Sequence, residues 1–193
     1  MLKTRLLAVL LLLPFIFNGS TFASVKNTPK ATPPAPQDVS IEGRILDERA
    51  QILSAYLTRH NSPLESSAQN FIDAADRYNL DWRLVAAISG TESTFGKATP
   101  GGYNAWGWGV YGNQALRFNS WKDAIYAVSA GLRNNYYNRG LTNLFAINRV
   151  YASSGHWAYS VNFFMDDIDR FQQEYYRQRL AKVAGTTAFL AQN

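Results

Sequence analysis

Glu92 is the residue in this chain best placed to act as an acid, because it has almost no competitor. Between residues 82 and 165 the sequence holds two carboxylates, Glu92 and Asp123, against seven positive side chains. The same stretch is dense in rings and glycines, above all Tyr103, Asn104, Trp106, Gly107, Trp108, Gly109, Tyr111 and Gly112. Cleaving a glycosidic bond requires a carboxyl that is still protonated near neutral pH. Glu92 ends an almost wholly apolar run, Val85-Ala86-Ala87-Ile88-Ser89-Gly90-Thr91. Apolar surroundings and the negative end of a helix both disfavour its charged form. Arg83 or Lys97, if close, would oppose them. The alternative is an ordinary surface glutamate at a helix end.

The other candidates each carry two readings. Asp123 stands third after Ser120, the spacing of a capping box, and is read as a helix cap. With one acid left, the chemistry points to a mechanism in which an N-acetylated sugar supplies its own acetamido group as nucleophile, or to an intramolecular attack. Trp106, Trp108 and Tyr111 can floor a sugar-binding cleft, with Asn104 donating to an acetamido carbonyl, or they can fill a small core. Tyr151, just before the last helix, can reach an active site or be a satisfied, half-buried phenol. The chain has two histidines, His60 and His156, and no cysteine. No metal site and no cofactor is therefore expected, nor a disulfide or thiol nucleophile. No nucleophile-elbow pattern marks a serine hydrolase.

The positioning elements are legible as helices. Ile41, Ile45, Ile52, Leu53, Tyr56 and Leu57 share one helical face reaching about Arg59. Ser62, Pro63 and Glu65 read as a capped start for a second helix to Tyr78, with Ala68, Phe71, Ile72 and Ala75 inward. Asp81 caps a third helix, from Trp82 to about Ser93. Residues 96–119 read as a long aromatic, glycine-rich loop with, at most, a short β-hairpin. Ser120 opens a fourth helix ended by Gly140. A short helix spans about 142–150, and a last one begins near His156 with Trp157, Val161, Phe164, Ile168, Phe171 and Tyr175 as a core stripe. The expected fold class is mainly α.

The N-terminal part is different. Lys3 and Arg5 precede an apolar run over residues 6–17, then a short polar stretch ends in Thr21-Phe22-Ala23. Residues 1–23 have the layout of a secretory signal peptide, and the run falls short of the roughly 20 residues that span a bilayer. Export with cleavage near Ala23 is the first reading, retention as an N-terminal anchor the second. Residues 24–40, with Pro29, Pro33, Pro34 and Pro36, read as a disordered linker. Residues 41–180 form the expected catalytic domain and 181–193 a tail. A formal charge of +5 suits an anionic wall polymer as partner in an exported protein better than nucleic acid, and so small a charge serves solubility alone equally well. A monomer is expected.

Four segments in order resemble the lysozyme-like superfamily, most closely bacterial endo-β-N-acetylglucosaminidase domains, relatives of the lytic transglycosylases. Ala87 to Gly96, with Glu92-Ser93 at its centre, is similar to their Glu-Ser motif. Tyr103-Asn104-Ala105-Trp106-Gly107 resembles their Asn-x-Phe-Gly element, and Ser120-Trp121 their next helix start. Tyr151-Ala152 followed by Trp157-Ala158 resembles their Tyr-Ala-Thr-Asp-Pro-x-Tyr-Ala segment. The resemblance implies a lysozyme-like helical fold, peptidoglycan glycan strands as substrate, Glu92 as general acid and Tyr151 in the active site. Three departures stand out, one being the lack of an equivalent to the second acid on the loop of some glucosaminidases. Ser153-Ser154-Gly155 replaces Thr-Asp-Pro, and Ala105-Trp106-Gly107-Trp108 replaces the Gly-Leu-Met-Gln of soluble lytic transglycosylases. Hydrolysis at N-acetylglucosamine is the first reading, lytic transglycosylation the second, and a non-catalytic glycan-binding domain a third.

Overall fold

A computed structural model of the chain describes residues 47–99, 101–109, 116–152 and 154–190, the last six of these by their backbone alone. The leader, the proline-rich segment, Ile41, Ile45 and Tyr111 lie outside the described residues. Within them are six α-helices: α1 (Glu48–Arg59), α2 (Ala68–Tyr78), α3 (Leu84–Ser93), α4 (Trp121–Asn135), α5 (Leu144–Tyr151) and α6 (Trp157–Leu190). No strand occurs among the described residues, so the fold is mainly α, as expected. Nor, among them, is any helix long and apolar enough to cross a membrane.

The hub is α3. Leu84, Val85, Ala86, Ala87, Ile88, Ser89, Gly90 and Ser93 are all buried, so this helix has hardly a solvent face. Each of its larger aliphatic side chains stabilises the fold by about 1.5–3 kcal/mol through burial. Its small residues let α6 lie along it, while α2 and α4 pack on its other sides. Gly90 shows why size matters: a Cβ there would come 2.7 Å from the ring of Phe95 and 3.1 Å from that of Phe164. α1 joins from outside, against α2 and α6, through Ile52, Leu53, Tyr56 and Leu57.

Local signals set most boundaries. Asp47 caps α1 by accepting from the Arg49 amide, and Asn143 caps α5 from Ala146. Ser120 Oγ accepts from the Asp123 amide at 3.0 Å at the start of α4. Asn79 ends α2 in the left-handed region (φ 47°), with the Leu80 N–H returning to the Ala75 carbonyl at 2.9 Å.

Four expectations about boundaries change, one being that α4 stops at Asn135 and a 3-10 turn over Tyr137–Arg139 carries the chain to Gly140. Ser62 does cap, but its hydroxyl takes the Leu64 amide (3.0 Å) and donates to the Phe95 carbonyl (2.8 Å). The Ser62 amide goes to the Leu57 carbonyl, 3.0 Å away, which leaves no reciprocal bond for Glu65. A 3-10 turn over Glu65–Ser67 therefore precedes α2. Asp81 folds a turn onto Arg83 and Leu84, so α3 begins two residues after Trp82. The last helix runs on past residue 180 to Leu190.

Candidate active site

Glu92 stands in the last turn of α3, and the chain that follows is bent back by three successive left-handed residues. Thr94 (φ 53°), Phe95 (φ 58°) and Gly96 (φ 81°) lie in a region that β-branched and bulky residues rarely enter. Such strain persists where the surroundings hold it in place. Here the bend tucks the Phe95 ring beneath Gly90, against Tyr56 and Phe164. It also brings the Gly96 amide onto Ser93 Oγ at 2.9 Å, while that hydroxyl donates to the Ala105 carbonyl at 2.7 Å. The end of α3 and the aromatic loop are thereby joined directly behind Glu92.

The loop is organised by Asn104. Its amide nitrogen donates to the carbonyls of Trp108 (2.8 Å) and Leu116 (2.9 Å), and its oxygen accepts from the Trp108 amide at 2.9 Å. The side chain is fully buried, and both amide hydrogens are spent on the loop's own backbone. Asn104 is thus a scaffold for the loop rather than the free donor expected for an acetamido group. Trp106 is likewise fully buried, its indole donating to the Val85 carbonyl at 2.8 Å. It anchors the loop to α3 and offers no face to a ligand. Trp108 is half-buried, its ring 6.1 Å from that of Tyr151. The loop closes without strands among the described residues, through Phe118 N–H to the Gly102 carbonyl (2.7 Å) and Leu116 N–H to the Gly109 carbonyl (3.3 Å).

Three side chains from three helices meet at the carboxyl. Trp157, at the start of α6, donates its indole Nε1–H to Glu92 Oε1 at 2.8 Å. Its ring lies 4.6 Å from that of Tyr151, tilted by 32°. Tyr151, the last residue of α5, is buried and donates its hydroxyl to the Trp106 carbonyl at 3.3 Å. Burial pushes Glu92 above its usual carboxylate range, and the Trp157 hydrogen bond pulls the other way without reversing it. Burial, then the nearby Glu92 charge, hold the Tyr151 hydroxyl well above the ordinary phenol range. It stays neutral.

The two cations that might have undone this are engaged elsewhere. Arg83 pairs with Asp81 at 2.6 Å and with Asp169, and Lys97 Nζ donates to the His60 carbonyl at 2.7 Å. Asp123 is exposed at the start of α4. Gly107 (φ 58°) faces the carboxyl from the loop: among the described residues the atom a Cβ there would meet is Glu92 Oε2, at 3.9 Å. The arrangement is a single partly exposed carboxyl, held by one donor, biased towards its protonated form and flanked by a neutral phenol. That is equipment for protonating a leaving oxygen.

Glu92 lies near enough to Tyr151 for its charge to act on the phenol, and Trp157 is the partner of Glu92 that the sequence did not mark. Its spacing places it in the core stripe of the last helix. The periodicity was right about burial, since Trp157 is 5% exposed, but period alone does not say where an indole N–H points.

Solved structures similar to this chain include two of S. aureus autolysin E. S. aureus autolysin E, as a catalytic glutamate-to-alanine mutant in complex with the disaccharide NAG-NAM, aligns at a TM-score of 0.56 and 18% identity, covering 68% of each chain. The same enzyme in complex with the muropeptide NAM-L-Ala-D-iGlu aligns at 0.55 and 19%, again over 68% of each chain. No family model and no curated protein sequence matches the chain. At this identity the likeness is one of fold: the chain shares the fold of autolysin E over 68% of its length.

Proposed function

We propose that this protein cleaves β-1,4 bonds in the glycan strands of peptidoglycan, at N-acetylglucosamine, with Glu92 as the general acid. The observation that carries the reading is the Glu92 carboxyl itself. It sits at the end of a buried helix, shifted towards its protonated form, with one indole donor and no cation upon it. The autolysin that shares the fold was captured with NAG-NAM and with a muropeptide, which supports the substrate class. Residues 1–23 would deliver the domain to that polymer by export.

The chemistry runs as two displacements, each with one proton transfer. Glu92 gives its proton to the glycosidic oxygen, and the C1–O bond breaks with its electron pair leaving on that oxygen. The carbonyl oxygen of the sugar's own acetamido group bonds to C1, so no second carboxylate is required. Water then attacks C1, the acetamido group leaves, and the water's proton returns to Glu92. Tyr151, neutral and beside the carboxyl, lends its dipole to the charge that develops there. Trp108 offers a ring for stacking on sugar, and Tyr111 is proposed alongside it. In lytic transglycosylation the sugar's own hydroxyl would attack in place of water.

The test is mass spectrometry of purified peptidoglycan digested by the wild-type protein and by Glu92→Gln. New reducing N-acetylglucosamine ends that vanish in the variant are expected. Anhydro-muramyl ends would transfer the reaction to lytic transglycosylation. Binding by both proteins with release by neither would make this a glycan-binding domain and end the enzymatic reading.

A further inference from the structure

The two oxygens of Glu92 have different neighbours. Oε1 accepts the Trp157 indole N–H at 2.8 Å, whereas Oε2 faces the bare Cα of Gly107. An indole is a donor only, in every protonation state of its partner. The hydroxyl oxygen of a carboxylic acid is a much poorer acceptor than its carbonyl oxygen, so the indole bond survives protonation best if Oε1 remains the carbonyl. We infer that Trp157 is a positioning residue that reserves Oε1 as an acceptor, leaving the acid proton on Oε2, and that the leaving oxygen approaches Oε2 through the space beside Gly107. This rests on the reading of Glu92 as the acid and adds the direction from which the substrate is served.

The surroundings fit that division. Tyr151 buttresses the indole by ring contact at 4.6 Å. It is, among the described residues, the titratable group whose hydroxyl feels the Glu92 charge. Because it stays neutral, it does not compete for the proton. From α6 the facing group is the indole, which does not titrate, and from the loop it is the Gly107 backbone. Gly107 has a positive φ of 58°, so glycine is favoured there on backbone grounds too, and a control must separate the two causes.

The experiment uses the full chain carrying 13C-carboxyl glutamate and 15N-indole tryptophan. Wild type, Trp157→Phe, Gly107→Ala and Gly140→Ala are titrated by NMR and assayed on peptidoglycan. In wild type the Trp157 indole signal should move with the same midpoint as the Glu92 carboxyl while staying hydrogen-bonded at low pH. Trp157→Phe keeps a ring but no donor. Its Glu92 midpoint should rise, the alkaline limb of the activity profile should follow, and kcat should fall about ten- to a hundredfold with KM little changed. Gly107→Ala should lose about as much activity while its Glu92 midpoint stays near wild type. Gly140→Ala places a Cβ at φ 80° in open space, so it carries the backbone strain alone and should keep full activity. A Glu92 midpoint unmoved by Trp157→Phe, or full turnover in Gly107→Ala, overturns the inference. If wild type cleaves nothing, the enzymatic reading fails by itself, and the titrations still decide whether Trp157 governs Glu92.

Discussion

The two ends of α3 carry the same ingredients to opposite results. At its start Asp81 is partly buried, and burial pushes its carboxyl up, but the side-chain and backbone hydrogen bonds from Arg83, with its charge, bring it below the ordinary range. At its end Glu92 is also pushed up by burial, and a neutral indole is the only counterweight. A guanidinium offers charge as well as two parallel donors, while an indole offers one dipole. One end of the helix is thereby a fixed ion pair that ties the turn before it to Asp169 on α6. The other is a carboxyl that can change its protonation state. What separates scaffold from chemistry here is the partner, not the acid or its depth.

The sharpest way to break the comparison is to remove the titrating group. Glu92→Gln keeps shape and deletes the acid, and turnover should fall about a hundred- to ten-thousandfold, the worth of general acid catalysis. Stability should move the other way. A carboxyl raised in the folded state is disfavoured once it ionises, so its cost is absent below the unfolded value, near the ordinary 4.5. The cost grows as pH rises from there through the folded value and is full above it. Glu92→Gln should therefore melt higher than wild type at neutral pH, with the gap closing in acid. Calorimetry across pH checks this, and equal melting at neutral pH would mean that the site exacts no cost from the fold.

Breaking the other end should reverse the sign of the stability change. Arg83→Gln leaves Asp81 with burial and no guanidinium, and frees Asp169. A loss of about 1–2 kcal/mol is expected, the value of charge-assisted hydrogen bonds discounted for partial exposure. A depressed carboxyl contributes stability above its unfolded value, near 3.8, and loses it as pH falls through the folded value. The deficit of Arg83→Gln should thus be full at neutral pH and shrink in acid. Denaturant melts at neutral and acidic pH measure it. A deficit independent of pH would assign Arg83 to packing rather than to charge.

How much of this was legible in the sequence follows the same division. Helical periodicity and capping residues located all six helices, and the lone acid among cations marked Glu92. Ser120 and Asp81 announced their turns because short polar side chains bond backbone within a few residues. Asn104 and Trp106 show the limit of residue type for a related reason. Their types suit a ligand, but their partners are backbone groups of the loop and of Val85, and which carbonyls a folded loop exposes is a tertiary fact. Trp157 was hidden in the reverse sense, since its position in a core stripe described its ring and concealed its N–H. Arg83 and Lys97 could not be weighed either until Asp169 and the His60 carbonyl were seen to hold them.

The smallest effect concerns the strain next to Glu92. Thr94 is exposed and sits at φ 53°, where a β-branched side chain is disfavoured and asparagine is tolerated. Thr94→Asn should stabilise the fold by about 0.5 kcal/mol. Turnover should not change, because the bend's work is done by Ser93 Oγ and the Phe95 ring, which the substitution leaves alone. The start of α3 is held by ion pairs whose loss costs stability, and its end by a strained turn whose relief should return some. If Thr94→Asn gains stability and loses turnover, the strain itself is aligning Glu92 with Trp157, and the site depends on the backbone as much as on the indole.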